Sequence, residues 1–177
     1  APHVGGVARS IEAFAGEFRR RGNRVVIVAP PYDGPPVDET DVVRVPALRH
    51  FHGGDYSVRL PAPGFLTAAL GPFRPDVVHA HHPFLLGDTA LVVARLRGVP
   101  LVFTHHTLYE KYTHNVPGDS SAARRFIVRF AAGFANLADR VFAPGRSLAE
   151  LLKSRGVRTP IDVVPTGVDL NAWRDGD

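Results

Sequence analysis

The chain has 177 residues, 45% of them apolar and 21% charged, with 21 basic against 17 acidic side chains, a net charge of +4 and no cysteine. That length carries one domain with its own core, and the composition is that of an ordinary globular chain rather than a disordered or fibrous one. The lack of cysteine excludes a disulfide framework and a thiolate metal site, the mild positive balance does not by itself ask for nucleic acid, and no apolar run approaches the roughly 18 residues of a spanning helix.

The chain opens on APHVGGV, which has neither the basic nor the apolar region of a secretory leader. A cytoplasmic location is the default expectation. Ile11, Phe14, Ala15 and Phe18 recur at helical spacing, and Gly22-Asn23 reads as the stop. No strand precedes this helix, although α/β domains usually begin on a buried strand, so the chain is expected to start inside the first loop of a longer protein. RVVIVAP (24–30) is a continuous β-branched run of the kind buried on both faces of a sheet. DVVRVP (41–46) predicts a second strand, and residues 47–64 read as a long loop. A short helix in FLTAALGPFRP leads to DVVHA (76–80), the third strand.

Pro83 suits the first turn of a helix running to about Arg97, with Gly98 as its stop. PLVFTH (100–105) is the fourth strand. In the segment 120–140, Phe126, Phe130, Phe134 and Leu137 predict the inner face of a helix. RVFAP (140–144) is a strand, Ser147 and Glu150 have the spacing of a capping box, and IDVVP (161–165) is the last strand. Strands alternating with helices predict an α/β fold, a Rossmann-like and mostly parallel sheet with helices on both faces. In such sheets ligands gather at the C-terminal ends of the strands. His79, His81 and His82 follow one strand, and Thr104, His105 and His106 follow another.

Four stretches carry candidate chemistry. Gly5 and Gly6 precede a helix, where backbone approach and free N–H groups suit a phosphate, although the G-x-G-x-x-G pattern is missing. The stretch 79–84, HAHHPF, could be read as a metal site, but no carboxylate stands at ligand spacing, and strand-end histidines bonding backbone or ligand are the better reading. The stretch 104–114, THHTLYEKYTH, concentrates imidazole, phenol, carboxylate and ammonium groups able to hold a polyhydroxy ligand. Arg124, Arg125 and Arg129 oppose Phe126 and Phe130 on one helix, which is read as an ordinary amphipathic helix with its aromatics inside in preference to a membrane-surface helix.

GGVARSIEAFAGEFRRRGNRVVIVAP, RPDVVHAHHPFLLG, VPLVFTHHTLYEKYTHNVP, ADRVFAPGRSLAELLKSRGV and IDVVPTGVDLNAW, in that order and spacing, resemble the N-terminal domain of the family-4 retaining glycosyltransferases. HTLYEKYTH is the most specific block, and it is most similar to the branch of diacylglycerol glucosyltransferases and phosphatidylinositol mannosyltransferases. The resemblance implies one half of a GT-B fold, with residues 1–177 as the acceptor-side domain. The family's first strand and its C-terminal donor-binding domain, which carries the E-x7-E motif, have no counterpart in the chain, so the chain alone is expected to be nearly inactive.

The implied reaction moves a hexose from a nucleotide-diphosphate sugar to a lipid or small polyhydroxy acceptor. The resemblance implies a catalytic role for His106 in substrate hydrogen bonding and transition-state support. It implies donor contacts at Gly5 and Gly6, with Gly6 the stronger, and acceptor contacts at His81, His82, Tyr109, Glu110 and Lys111. It implies no metal and no resident cofactor, the nucleotide sugar being a co-substrate. The implied partners are the substrates and the protein's own C-terminal domain, with peripheral contact at the inner membrane face through Arg49, Arg59 and Arg124 to Arg129, and no nucleic acid. A non-catalytic nucleotide-binding Rossmann or flavodoxin-like module is the alternative.

Overall fold

The computed structural model of the chain describes residues 6–30, 41–45, 47–48, 58–59, 68–84, 86–110 and 120–167. Residues 1–60 with 166–177 cluster as one compact unit, and residues 61–165 as a second.

In the first unit, helix α1 (Gly6–Arg20) forms over the predicted repeat. Its buried residues are Ser10 and Ala15, while Phe18 is 46% exposed and stacks on Phe14. Gly22 ends it at φ 82°, a left-handed conformation that glycine adopts without strain. The β-branched run that follows contributes only three residues to strand β1 (Ile27–Ala29), which pairs in parallel with β2 (Val42–Arg44). Part of the predicted loop 47–64 is ordered differently. Ala47–Leu48 (β3) and Val58–Arg59 (β4) form a two-residue antiparallel ladder.

The second unit carries a four-stranded parallel sheet in the order β5 (Val78–Ala80), β6 (Leu101–Thr104), β7 (Arg140–Ala143) and β8 (Ile161–Val163). Helices α2 (Leu86–Arg97), α3 (Ser121–Ala135) and α4 (Arg146–Ser154) make the three crossovers. Sequential strand order with crossovers of one hand brings successive helices to the same sheet face. The core has that form. Leu101 and Phe103 of β6 and Val141 and Ala143 of β7 are buried with Ala94 of α2, Ala132, Phe134 and Ala135 of α3, and Ala149 and Leu152 of α4. The second unit thus has the parallel, helix-flanked organisation of a Rossmann-like α/β fold, and the first adds a short parallel pair beside α1 in sequence.

Three local expectations are corrected. The inner face of α3 is not its phenylalanine row: Phe134 is buried, but Phe126 is 66% and Leu137 is 49% exposed. Ala131, Ala132 and Ala135 occupy the contact instead, and their small side chains let α3 lie close to the sheet. Helix α4 is not capped by Ser147. Its N-cap is Gly145, whose carbonyl accepts from Ala149 N–H, a start that turns Ala149 and Leu152 inward. Finally, Pro83 is fully buried ahead of α2 rather than within its first turn. There His82 Nδ1 accepts the Phe84 N–H at 3.3 Å, and Phe84 O accepts from Gly87 N–H.

One side chain ties the far end of the sheet together. Asn136, at the C-terminus of α3, donates to Gly156 O and accepts from the backbone N–H groups of Arg158 and Thr159.

Candidate functional site

Side chains alternate between the two faces of a strand. In β6, Leu101, Phe103 and, just past the strand, His105 point into the helix-covered core, and all three are buried. Thr104 and His106 therefore fall on the opposite face, as do His79 and His81 at the end of β5. The strand register is His79↔Val102 and Ala80↔Phe103. One same-face step further along, two diagonal side-chain links cross from strand to strand. His79 Nε2 lies 2.7 Å from Thr104 Oγ1, and His81 Nδ1 lies 2.8 Å from His106 Nε2.

The rings stack as a group. The His79 and His81 centroids are 4.0 Å apart, those of His81 and His106 are 5.1 Å apart, and Phe142 of β7 backs His79 edge-on at 5.7 Å. Removal from water favours the neutral imidazole. Burial, with a smaller contribution from His106, pushes His79 down to about 4. Burial, then His79 and His106, pushes His81 down to about 2. Burial lowers the half-buried His106 as well. At neutral pH the cluster is uncharged, so every contact it makes is that of a neutral donor or acceptor.

A second layer lies on the core side. The Tyr109 ring meets His82, Phe84 and His105 at centroid distances of 5.3, 5.4 and 5.2 Å, and Phe84 stacks on Phe130 of α3 at 5.0 Å. Among the described residues, two buried polar atoms here lack a hydrogen-bond partner, His105 Nδ1 and Tyr109 Oη. Burial raises the Tyr109 phenol above its ordinary range. Burial, followed by the Arg155 charge, holds His105 down at about 4. Beyond Tyr109, Arg155 at the end of α4 donates to Glu110 Oε1 at 2.5 Å. Partial burial opposes ionisation of Glu110, but the hydrogen bonds from Arg155 and the backbone outweigh it and hold the carboxyl below its usual value.

His81, His82, His106, Tyr109 and Glu110 all sit at the C-terminal ends of β5 and β6. His82 is exposed, His106 is half-buried, and Glu110 is engaged by Arg155. Gly6 opens α1 in the other compact unit, and among the described residues no atom beyond its chain neighbours and its own helix backbone lies within 4 Å of where its Cβ would be. Gly5 and Lys111 lie outside the described residues, as do Arg49 and the side chain of Arg59. Arg155 and Phe84 were not foreseen. Arg155 is 45 positions from its partner, and no local pattern marks it.

Among the described residues no three histidine or carboxylate side chains are disposed to share a metal ion. The facing nitrogens of His81 and His106 are at hydrogen-bond distance, closer than the about 3.3 Å between two ligands on a tetrahedral zinc. The arrangement is suited to presenting neutral imidazole groups to an oxygen-rich ligand at the ends of two parallel strands.

Known proteins resemble this sequence. The sequence model of Glycosyltransferase Family 4 matches residues 4–172. Alpha-monoglucosyldiacylglycerol synthase of Streptococcus pneumoniae is 28% identical over 96% of this chain and 38% of its own length. A GDP-mannose-dependent alpha-mannosyltransferase of Mycobacterium tuberculosis is 31% identical over 88% of this chain and 42% of its own. D-inositol 3-phosphate glycosyltransferase 1 of Catenulispora acidiphila is 36% identical over 64% of this chain and 28% of its own. The chain spans less than half the length of each of these relatives.

Proposed function

The chain belongs to Glycosyltransferase Family 4, and from that premise we propose that it is the acceptor-side domain of an enzyme that moves a hexose from a nucleotide-diphosphate sugar to a lipid or small polyhydroxy acceptor. The supporting observation is the neutral histidine cluster at the ends of β5 and β6, centred on the 2.8 Å His81–His106 link. The relatives' names join glucosyl, mannosyl and inositol-phosphate chemistry, so one polar cleft with variable acceptor contacts suits the group.

In this reading His106 is the catalytic residue, contacting the transferred sugar and the acceptor hydroxyl. A neutral imidazole there gives a directed hydrogen bond at the reacting centre and raises rate by positioning and by stabilising developing charge. His82, exposed at the end of β5, takes the acceptor. Tyr109 and Glu110 order that wall, Tyr109 through its ring contacts and Glu110 through Arg155. Gly5 and Gly6 meet the donor phosphate or sugar. Open space at the Gly6 Cβ position means that packing among the described residues does not demand a glycine there, whereas close approach of a ligand would. Most of the donor site belongs to the protein's C-terminal domain, and the chemistry runs without a metal.

Among the described residues no helix is long and apolar enough to cross a membrane. For a lipid acceptor, α3 is the surface that meets the bilayer, at the inner membrane face. A groove of about 530 Å³ runs along it, lined by Ala122, Arg125, Phe126, Arg129 and Phe130. Each basic side chain near anionic lipid adds about 1 kcal/mol, so such contact would be weak and reversible.

The test uses the complete reading frame with labelled UDP- and GDP-hexoses, offered diacylglycerol, phosphatidylinositol and inositol phosphate in parallel. Transfer to one of these acceptors supports the reading. Tight nucleotide binding with no transfer to any acceptor would replace it with a binding module.

A further inference from the structure

We propose that His81 is a positioning residue that holds His106 by its Nε2 and ties the tautomer of that ring to its own, leaving Nδ1 of His106 as the atom offered to a ligand. The geometry carries this. The two rings meet nitrogen to nitrogen, His81 Nδ1 against His106 Nε2, at 2.8 Å and nearly parallel, with 21° between planes. When both rings are neutral, exactly one hydrogen lies between those nitrogens. If His81 donates, His106 has a bare Nε2 and must hold its own hydrogen on Nδ1. If His106 donates, its Nδ1 is bare. The tautomers of the two rings are therefore one variable, and Nε2 of His106 is taken in either state. Among the described residues Nδ1 of His106 has no other hydrogen-bond partner.

His81 is itself fixed. Its ring lies on His79 at 4.0 Å, His79 is held by Thr104 at 2.7 Å, and Phe142 closes the far side of His79. The chain of contacts runs from a buried threonine in the middle strands outward to His106, so a rigid sheet determines where the outermost imidazole points. His81 is too deeply removed from water to store a proton during turnover. Its part is orientation, comparable to the outer partners that fix a ligating histidine in metal sites.

The role in turnover rests on the sugar-transfer reading, but the coupling of the rings does not, and the experiment separates them. The complete protein is labelled with nitrogen-15, and two-bond proton–nitrogen correlations of its imidazoles are recorded near pH 7.5. In the wild-type protein His106 should give one nitrogen at the protonated shift and one at the bare shift. In His81→Phe, which keeps the ring but removes the link, the two His106 nitrogens should average toward each other. His81→Asn, whose amide takes the place of Nδ1, should restore the wild-type pattern, and His81→Gln, whose amide takes the place of Nε2, should not. The Asn–Gln contrast decides the matter if the Phe variant does not fold. Sugar transfer should drop about 10–100-fold in the Phe and Gln variants and recover in Asn. An unchanged His106 signature in both the Phe and Gln variants overturns the proposal. Wild-type protein that shows the coupled signature but transfers no sugar would sink the transferase reading and leave the coupling intact.

Discussion

Gly87 should be intolerant of even one methyl group, and the reason runs directly to the site. A Cβ at position 87 would lie 2.3 Å from the His82 carbonyl oxygen and 3.1 Å from Phe134 Cζ. The first contact is with backbone, so it cannot be relieved by rotating a side chain. Either the start of α2 or the 81–84 turn must move by about 1 Å. Overpacking of this kind costs about 1–3 kcal/mol, and a backbone collision belongs at the upper end. Alanine returns up to about 1 kcal/mol through helix propensity, which leaves Gly87→Ala about 2 kcal/mol less stable. Gly133 of α3 supplies the control. Among the described residues nothing beyond its own helix backbone and chain neighbours lies within 4 Å of its Cβ position, so Gly133→Ala should gain about 1 kcal/mol from propensity alone. Urea denaturation of the two variants should move the midpoint in opposite directions. Gly87→Ala should also weaken sugar transfer, because the displaced turn carries His81 and His82. If Gly87→Ala stabilises the protein as much as Gly133→Ala does, the close approach of α2 to that turn is not real and the argument fails.

The buried imidazoles make stability depend on pH. His79 and His105 both sit near 4 in the folded protein against an ordinary 6.5. The unfolded chain thus binds more protons between those values, and stability is full above pH 6.5 and falls as pH drops toward 4. Thermal melts from pH 7.5 to 4.5 should show this loss, with a shallower slope in His79→Gln. The Glu110–Arg155 pair has the opposite chemistry and the same direction: the carboxyl is lowered from 4.5, so its contribution is present above that value and disappears as pH falls further. Glu110→Gln should lower stability by about 1–3 kcal/mol, since it leaves a partly buried guanidinium short of its partner, and it should have the largest effect at neutral pH. Asn136→Ala removes three hydrogen bonds to backbone groups and should cost about 1–3 kcal/mol, read as an earlier urea midpoint with no change in the histidine spectra.

Much of the fold is written in local pattern. The β-branched runs ending at His79 and Thr104, the glycine stop at Gly22 and the alternation of strand with helix all find their predicted places, because each depends on residues within a few positions. The errors arise where packing partners decide. The row of Phe126, Phe130 and Phe134 has helical spacing, yet the sheet selects the alanine face, since only small residues permit close approach. The spacing of Ser147 and Glu150 satisfies a cap rule that loses to the burial of Ala149 and Leu152. At the site, consecutive His105 and His106 look equivalent as letters. Counting alternation from the buried Phe103 separates them, one into the core and one onto the face with His79 and His81. The pairing of Glu110 with Arg155 had no such signal, because it joins two loops distant in sequence.

The central claim is that the neutral imidazoles at the ends of β5 and β6 do chemistry on a sugar. It is tested most directly by the rate of hexose transfer in His106→Ala, measured with the complete protein beside wild type. Loss of a positioned group at the reacting centre should lower kcat/KM by about 10²–10³-fold in protein that is still folded, the urea midpoint falling by no more than the loss of the one His81 hydrogen bond allows, about 1–3 kcal/mol. Transfer at the wild-type rate by that variant would contradict the account.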